Sequence, residues 1–311
     1  MNRLIILFIW MLYLPVGCSD IENPNQISTQ STQSIQSTQT VLENAANEKA
    51  ANRLNPSGQT IETRFIVPDS FERIAVPIDS FAGYLRTLPL KPNGAEVKLY
   101  NGSIKPNADI YDAVINMDID PENLQQCADA IMRLRGEYLW AQKRYNEIHF
   151  NFTNGFRVDY SKWMEGCRMI VKGNKTSWKN SAPPSNSYKD FREYMKLIFL
   201  YAGTLSLSKE LLAVDYKDLK IGDILIKGGS PGHAVIVVDL AVNSQSGEKI
   251  YLLAQSYMPA QEIQVLKNPM NRDLSPWYLL DEKIEIIDTP EWRFKNTDLK
   301  RFPGPAARAS S

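Results

Sequence analysis

Gly222-Asp223-Ile224-Leu225-Ile226-Lys227-Gly228-Gly229-Ser230-Pro231-Gly232-His233-Ala234-Val235-Ile236-Val237-Val238-Asp239 reads as a strand, a glycine-rich turn and a second strand. The first run is apolar and rich in β-branched side chains, Gly-Gly-Ser-Pro-Gly has turn chemistry, and Ala-Val-Ile-Val-Val is apolar on both faces, as in a strand buried within a sheet. His233 therefore stands where a tight loop enters a rigid strand. Such a junction fixes the backbone while leaving the imidazole reachable, which suits a catalytic group. Taken alone, the same Gly-His step reads more simply as a histidine that caps the strand and bonds locally.

The chain around this stretch has 311 residues, 43% hydrophobic and 10% aromatic, enough for a sizeable core in one large domain or two small ones. Thirty-five basic and 35 acidic side chains balance, so no basic field is available for nucleic acid, and no acidic run suggests a solvating tail. Three cysteines and two histidines exclude a multi-ligand Cys/His metal cluster, and no cofactor is expected.

At the N-terminus, Asn2 and Arg3 precede an apolar run from Leu4 to Tyr13, too short for a stable bilayer span. It ends in Leu14-Pro15-Val16-Gly17-Cys18, which resembles a bacterial lipobox. Residues 1–17 are thus expected to be a signal peptide, with Cys18 lipidated and tethering the mature chain to a membrane. The protein would then face the oxidising cell envelope, periplasm or exterior, where Cys127 and Cys167 are permitted to pair; they are expected to stay unpaired, because they sit on separate elements. Residues 18–60 include a Ser/Thr/Gln tract, Ser28 to Thr40, that cannot bury enough surface to fold. That segment reads as a tether, and residues 61–311 as a single domain.

Within this domain, Phe65-Ile66-Val67 and Ile74-Ala75-Val76 read as short extended pieces, and Ser80 caps a short helix stopped by Pro89. Val97 to Tyr100, an Asn101-Gly102 turn and Ala113 to Ile119 make a small β-layer. Asp120 and Pro121 have the chemistry of a helix start, which predicts a helix running from there through Leu139. Glu147 to Phe152 alternates as a strand carrying His149, Asp159 to Met164 reads as a short helix, and Trp163 and Trp178 suit either a sugar or peptide groove or the core. Tyr188 to Ala202 and Leu205 to Ala213 are predicted helices covering one side of the sheet. Lys249 to Ala254 and Glu262 to Leu266 are predicted strands, and Lys283 to Ile287 a closing one.

Cys127 supports two readings. Leu124, Cys127, Ile131, Leu134 and Tyr138 follow a helical period, which makes it an inert core thiol. A nucleophilic cysteine sits instead at a helix N-terminus, where the dipole and free N–H groups favour the thiolate and hold an oxyanion. Counted from Pro121, Cys127 is nearly two turns in, beyond most of that effect.

Gly222-Asp223-Ile224, the glycine-rich loop, Gly232-His233-Ala234-Val235-Ile236-Val237 and a strand ending in Gln255 are together similar to the C-terminal half of papain-like cell-wall hydrolases of the CHAP and NlpC kind. That resemblance implies an α+β fold with an antiparallel sheet packed on helices, Cys127 as nucleophile, His233 as base and Gln255 as the residue that orients the imidazole. Gln255 replaces the usual Glu, Asp, Asn or His, and no Asp-Cys-Ser signature surrounds Cys127. Backbone N–H groups near Cys127, with the Gln126 amide, would hold the oxyanion. From Phe65 to Trp277 the chain resembles more closely a bacterial family called domain of unknown function 4846, through Leu85-Arg86-Thr87-Leu88-Pro89-Leu90, Gln125-Gln126-Cys127-Ala128-Asp129-Ala130, Arg133-Leu134-Arg135, Gly229 to Ala234 and Met258-Pro259-Ala260-Gln261. Two functions are expected from these readings: a Cys-His amidase or peptidase acting on peptidoglycan or another peptide amide, or a non-catalytic envelope lipoprotein that binds a wall or protein ligand in the same groove.

Overall fold

A computed structural model describes residues 53–304, so the expected signal peptide, Cys18 and most of the expected tether lie outside the described residues. The quoted stretch forms the centre of a nine-stranded antiparallel sheet. Strands β8 (Ile224–Lys227) and β9 (His233–Asn243) pair with Lys227 opposite His233 and Ile224 opposite Ile236. Strand β9 is buried from His233 to Ala241, as its unbroken apolar run requires. Gly232 carries no side chain for a steric reason: a Cβ there would lie 2.5 Å from Gly229 O and 2.5 Å from Thr204 Oγ1.

On the other side of β9 runs β10 (Lys249–Gln255), then β11 (Gln264–Leu266) and β2 (Tyr111–Val114). Strand β1 (Phe71–Arg73) extends the sheet along the far end of β9, and β12 (Tyr278–Leu279) does so along β10. Beyond β8, the sheet is completed by β15 (Leu299–Arg301) and β7 (Leu212–Ala213). The expected closing strand near Lys283 is corrected: among the described residues β13 (Ile286–Asp288) pairs with β14 (Arg293–Lys295) as a separate hairpin and not with the large sheet. Strand β15 takes the edge of β8 because Arg301 reaches Asp223 through two bonds of 2.5 and 2.7 Å, matching a guanidinium fork to a buried carboxylate. The predicted strand from Val97 to Tyr100 is reduced to isolated bridges, Lys98 to Ile104 and Leu99 to Gln261.

Helices α1 (Ile61–Arg64), α2 (Phe81–Arg86) and α3 (Cys127–Ala141) pack on β9, α2 capped by Ser80 as its sequence indicates. Helix α4 (Tyr160–Met164) follows the hairpin β3 (His149–Asn151) and β4 (Arg157–Asp159), and a second hairpin, β5 (Cys167–Lys172) and β6 (Lys175–Asn180), follows α4. Helix α5 (Tyr188–Tyr201), expected to cover the sheet, instead packs against α3 and α4, while α6 (Thr204–Glu210) meets β8 and β3. Gly136 permits the close α3–α5 approach, since a Cβ there would stand 3.1 Å from Met195 Sδ. Trp163 is buried under the Arg168 guanidinium, 4.0 Å from its ring centre, and belongs to the core, whereas Trp178 is half-buried against Phe156. Among the described residues no helix is long and apolar enough to cross a membrane.

Candidate active site

The helix carrying Cys127 begins later than Pro121 suggests. Residues 121–126 run through bends and one turn into irregular backbone, Gln126 is the N-cap, and Cys127 is the first residue of α3. Two polar side chains hold the preceding loop open. Asn123 Oδ1 accepts the Ala260 N–H at 2.7 Å, and Gln125 Oε1 accepts from buried Arg133 at 2.9 Å. The Gln126 N–H donates to Asp129 Oδ2 at 3.0 Å, so Asp129 fixes the start of the helix from its N3 position. The thiol therefore lies in the first turn, where unpaired N–H groups and the helix dipole act most strongly.

Three backbone N–H groups, those of Ala128, Ala234 and Cys127 itself, are placed to favour the Cys127 thiolate. Ala234 is the residue after His233, so the start of α3 abuts the start of β9. Burial outweighs these donors: it pushes the Cys127 thiol up to about 11, with the Asp129 carboxylate adding to the effect. His233 is 1% exposed, and burial lowers its pKa to about 4. The two groups thus rest as neutral thiol and neutral imidazole.

Gln255, at the end of β10, is buried, and its Oε1 lies 2.8 Å from His233 Nε2. Tyr257 meets the imidazole edge-on with centroids 4.9 Å apart, and Trp292 and Phe294 of the β13–β14 hairpin flank it at 5.5 and 5.9 Å. Burial, and next the Glu291 carboxylate, raise the pKa of the Tyr257 hydroxyl. A cleft of about 410 Å³ opens at Cys127, bounded by Gln126, Asp129, Met258 and the Gly229–Gly232 turn. Cys127 and the turn that leads into His233 line this cleft, and the His233 side chain does not. The Gln126 amide also lines it and reaches Asn123 Oδ1 at 3.4 Å.

Among the described residues the other cysteine and the other histidine lie elsewhere. Cys127 and Cys167 are both free, and Cys167 is on β5. His149 sits on β3, with Nδ1 3.1 Å from Glu147 O, beside another cavity of about 400 Å³ that neither cysteine lines. Among the described residues no group of three or more His, Cys, Asp or Glu could hold a metal ion. Sequence reading missed Asp129, although Gln126-x-x-Asp129 ahead of an apolar helix is itself a start signal. It also missed Glu291, which accepts from the Gln255 amide at 2.6 Å, and Lys105, which pairs with Glu291; no local pattern exists for either.

The neutral resting state of His233 has a consequence for stability. Its folded pKa, about 4, is below the unfolded value near 6.5, so the unfolded chain takes up the proton first. The contribution is complete above pH 6.5 and is lost as pH falls through 4, up to about 3 kcal/mol for such a shift. Urea unfolding at pH 7 and pH 4.5 should show a larger acid loss in the wild type than in His233→Gln. Equal losses would mean that the imidazole is not held neutral.

Comparison with known proteins gives one match: a family model described as "Domain of unknown function (4846)" covers residues 61–301. No curated protein matches the chain. No solved structure matches it either.

Proposed function

The chain belongs to the domain of unknown function 4846 family, a membership that names no reaction, and from the chemistry of its site we propose a papain-like cysteine amidase or peptidase that acts on peptidoglycan or another peptide amide. The observation that carries this reading is the placement of Cys127 at the first position of α3, against the His233–Ala234 segment of β9, with Gln255 bound to His233 from the neighbouring strand. Cys127 Sγ attacks the amide carbonyl carbon as its proton passes to His233 Nδ1, the ring nitrogen that Gln255 leaves free. The N–H groups at the start of α3 and the Gln126 amide receive the oxyanion. Collapse breaks the C–N bond, His233 returns the proton to the departing amine, and water then hydrolyses the thioester with His233 as base.

The neutral pair suits this route. A thiol and an imidazole that are both uncharged at rest transfer the proton only when substrate excludes water and presents its carbonyl. We place the protein in the bacterial cell envelope, held by lipid on Cys18, where peptidoglycan is within reach of a tethered domain. The second reading, a binding lipoprotein without catalysis, draws on the burial of both groups, 7% exposure for Cys127 and 1% for His233. Digestion of a purified muropeptide panel, read by liquid chromatography and mass spectrometry, separates the two. Release of fragments at an amide bond supports the hydrolase; binding of the panel with no cleavage at any pH between 5 and 9 supports the lipoprotein that only binds.

A further inference from the structure

His233 is oriented by a chain of contacts longer than the residue that touches it. Gln255 offers Oε1 to His233 Nε2 at 2.8 Å and donates through Nε2 to Glu291 Oε2 at 2.6 Å. Glu291 lies in the β13–β14 turn, and Lys105 Nζ meets both of its oxygens, at 2.8 and 2.9 Å. Lys105 is 6% exposed and comes from the loop ahead of β2, so the ammonium is held in place rather than free in solvent. It also lies over the Tyr257 ring, 5.3 Å from its centre.

We propose that the Glu291–Lys105 ion pair is a positioning pair that fixes which way the Gln255 amide points and, through it, which nitrogen of His233 carries the proton. A glutamine amide has one accepting and one donating end, whereas a carboxylate paired with an ammonium only accepts. Glu291 therefore requires the NH₂ of Gln255, and the carbonyl is left facing the imidazole. Reversing the amide would set two acceptor oxygens 2.6 Å apart. With a carbonyl opposite it, His233 Nε2 must be the protonated nitrogen, and Nδ1 keeps its lone pair. Lys105 has a second effect, because its charge opposes protonation of His233. Glu291 thus orients the amide while its negative charge is balanced, so the imidazole remains a neutral base. A carboxylate touching the ring directly would fix the same tautomer but would raise the imidazole pKa.

The use of this arrangement in catalysis rests on the Cys127–His233 reading; the tautomer does not. With only two histidines in the chain, the full-length protein carrying Cys18→Ser and labelled with [¹⁵N]histidine gives a simple long-range proton–nitrogen spectrum, assigned with His149→Gln. At pH 7 the His233 nitrogens should show a single form, protonated on Nε2. Exchanging the charges, Lys105→Glu with Glu291→Lys, should turn the amide and move the proton to Nδ1. If that double variant does not fold, Glu291→Met, which frees the amide, should give averaged nitrogen shifts. An Nδ1-protonated wild type would overturn the proposal, as would an unchanged Nε2 form in the folded exchange variant or unaveraged shifts in Glu291→Met. A confirmed tautomer in a protein that cleaves no muropeptide would refute the hydrolase alone.

Discussion

Asp239→Ala should destabilise the protein by about 3–5 kcal/mol, the range for removing one partner of a buried ion pair. Asp239 is fully buried on β9, and its two oxygens bond Arg73 Nε at 2.7 Å and Arg86 Nε at 2.8 Å. Oδ1 also accepts the Leu240 N–H at 2.9 Å. Arg86 comes from the end of α2 and donates as well to Ile74 O at 2.9 Å, so the carboxylate joins α2, β1 and the sheet centre. Deleting it leaves the buried Arg86 guanidinium without its counter-charge. The loss is far larger than for an exposed pair such as Arg293 with Asp288, where about 0–1 kcal/mol is typical. Urea unfolding at pH 7 checks the difference. A loss below about 1 kcal/mol for Asp239→Ala would show that the cluster does not hold these elements together.

Much of this framework is legible in the sequence. The β8–turn–β9 unit follows from an apolar run broken by Gly-Gly-Ser-Pro-Gly, a local signal that tertiary contacts do not override. The Ser80 cap and the amphipathic run of α5 are local as well. The start of α3 is not. Pro121 has the right chemistry for a first helical residue, but Asn123 is bound to Ala260 and the Gln125 carbonyl accepts the Ser256 hydroxyl at 3.3 Å, partners more than 130 residues away in sequence. These bonds hold residues 121–126 out of the helix and bring Cys127 to its first turn. Strand β15, between β8 and β7, and the Glu291–Lys105 pair leave no spacing to read for the same reason, since their partners are set by the fold. Helix α5 was recognised as amphipathic, yet its apolar face meets α3 and α4 rather than the sheet, a choice that periodicity alone does not make.

Cys127→Ala should remove turnover entirely, and His233→Gln should lower it by about 10²–10⁴-fold, the usual contribution of a positioned general base. Both effects follow from the division of roles. In the proposed reaction the sulfur forms the bond, so nothing would replace it, whereas without the imidazole the attack would proceed from the small fraction of thiolate that a pKa of about 11 allows at neutral pH. The N–H groups at the start of α3 remain in both variants, so binding of an amide substrate should change less than turnover. Circular dichroism on each variant keeps a folding defect from being read as lost chemistry.

The most direct measurement of the Cys127–His233 pair is acylation of the full-length chain by a p-nitrophenyl ester of a muropeptide-like acyl group, followed by peptide mass mapping at pH 7. Simple exposure favours Cys167, which is partly exposed on β5, over the buried Cys127. A working pair reverses that order: Cys127 should acylate faster than Cys167 in the wild type, and His233→Gln should slow Cys127 at least tenfold while leaving Cys167 unchanged. Acylation of Cys167 first, or a Cys127 rate indifferent to His233→Gln, would contradict the account and leave Cys127 a core thiol.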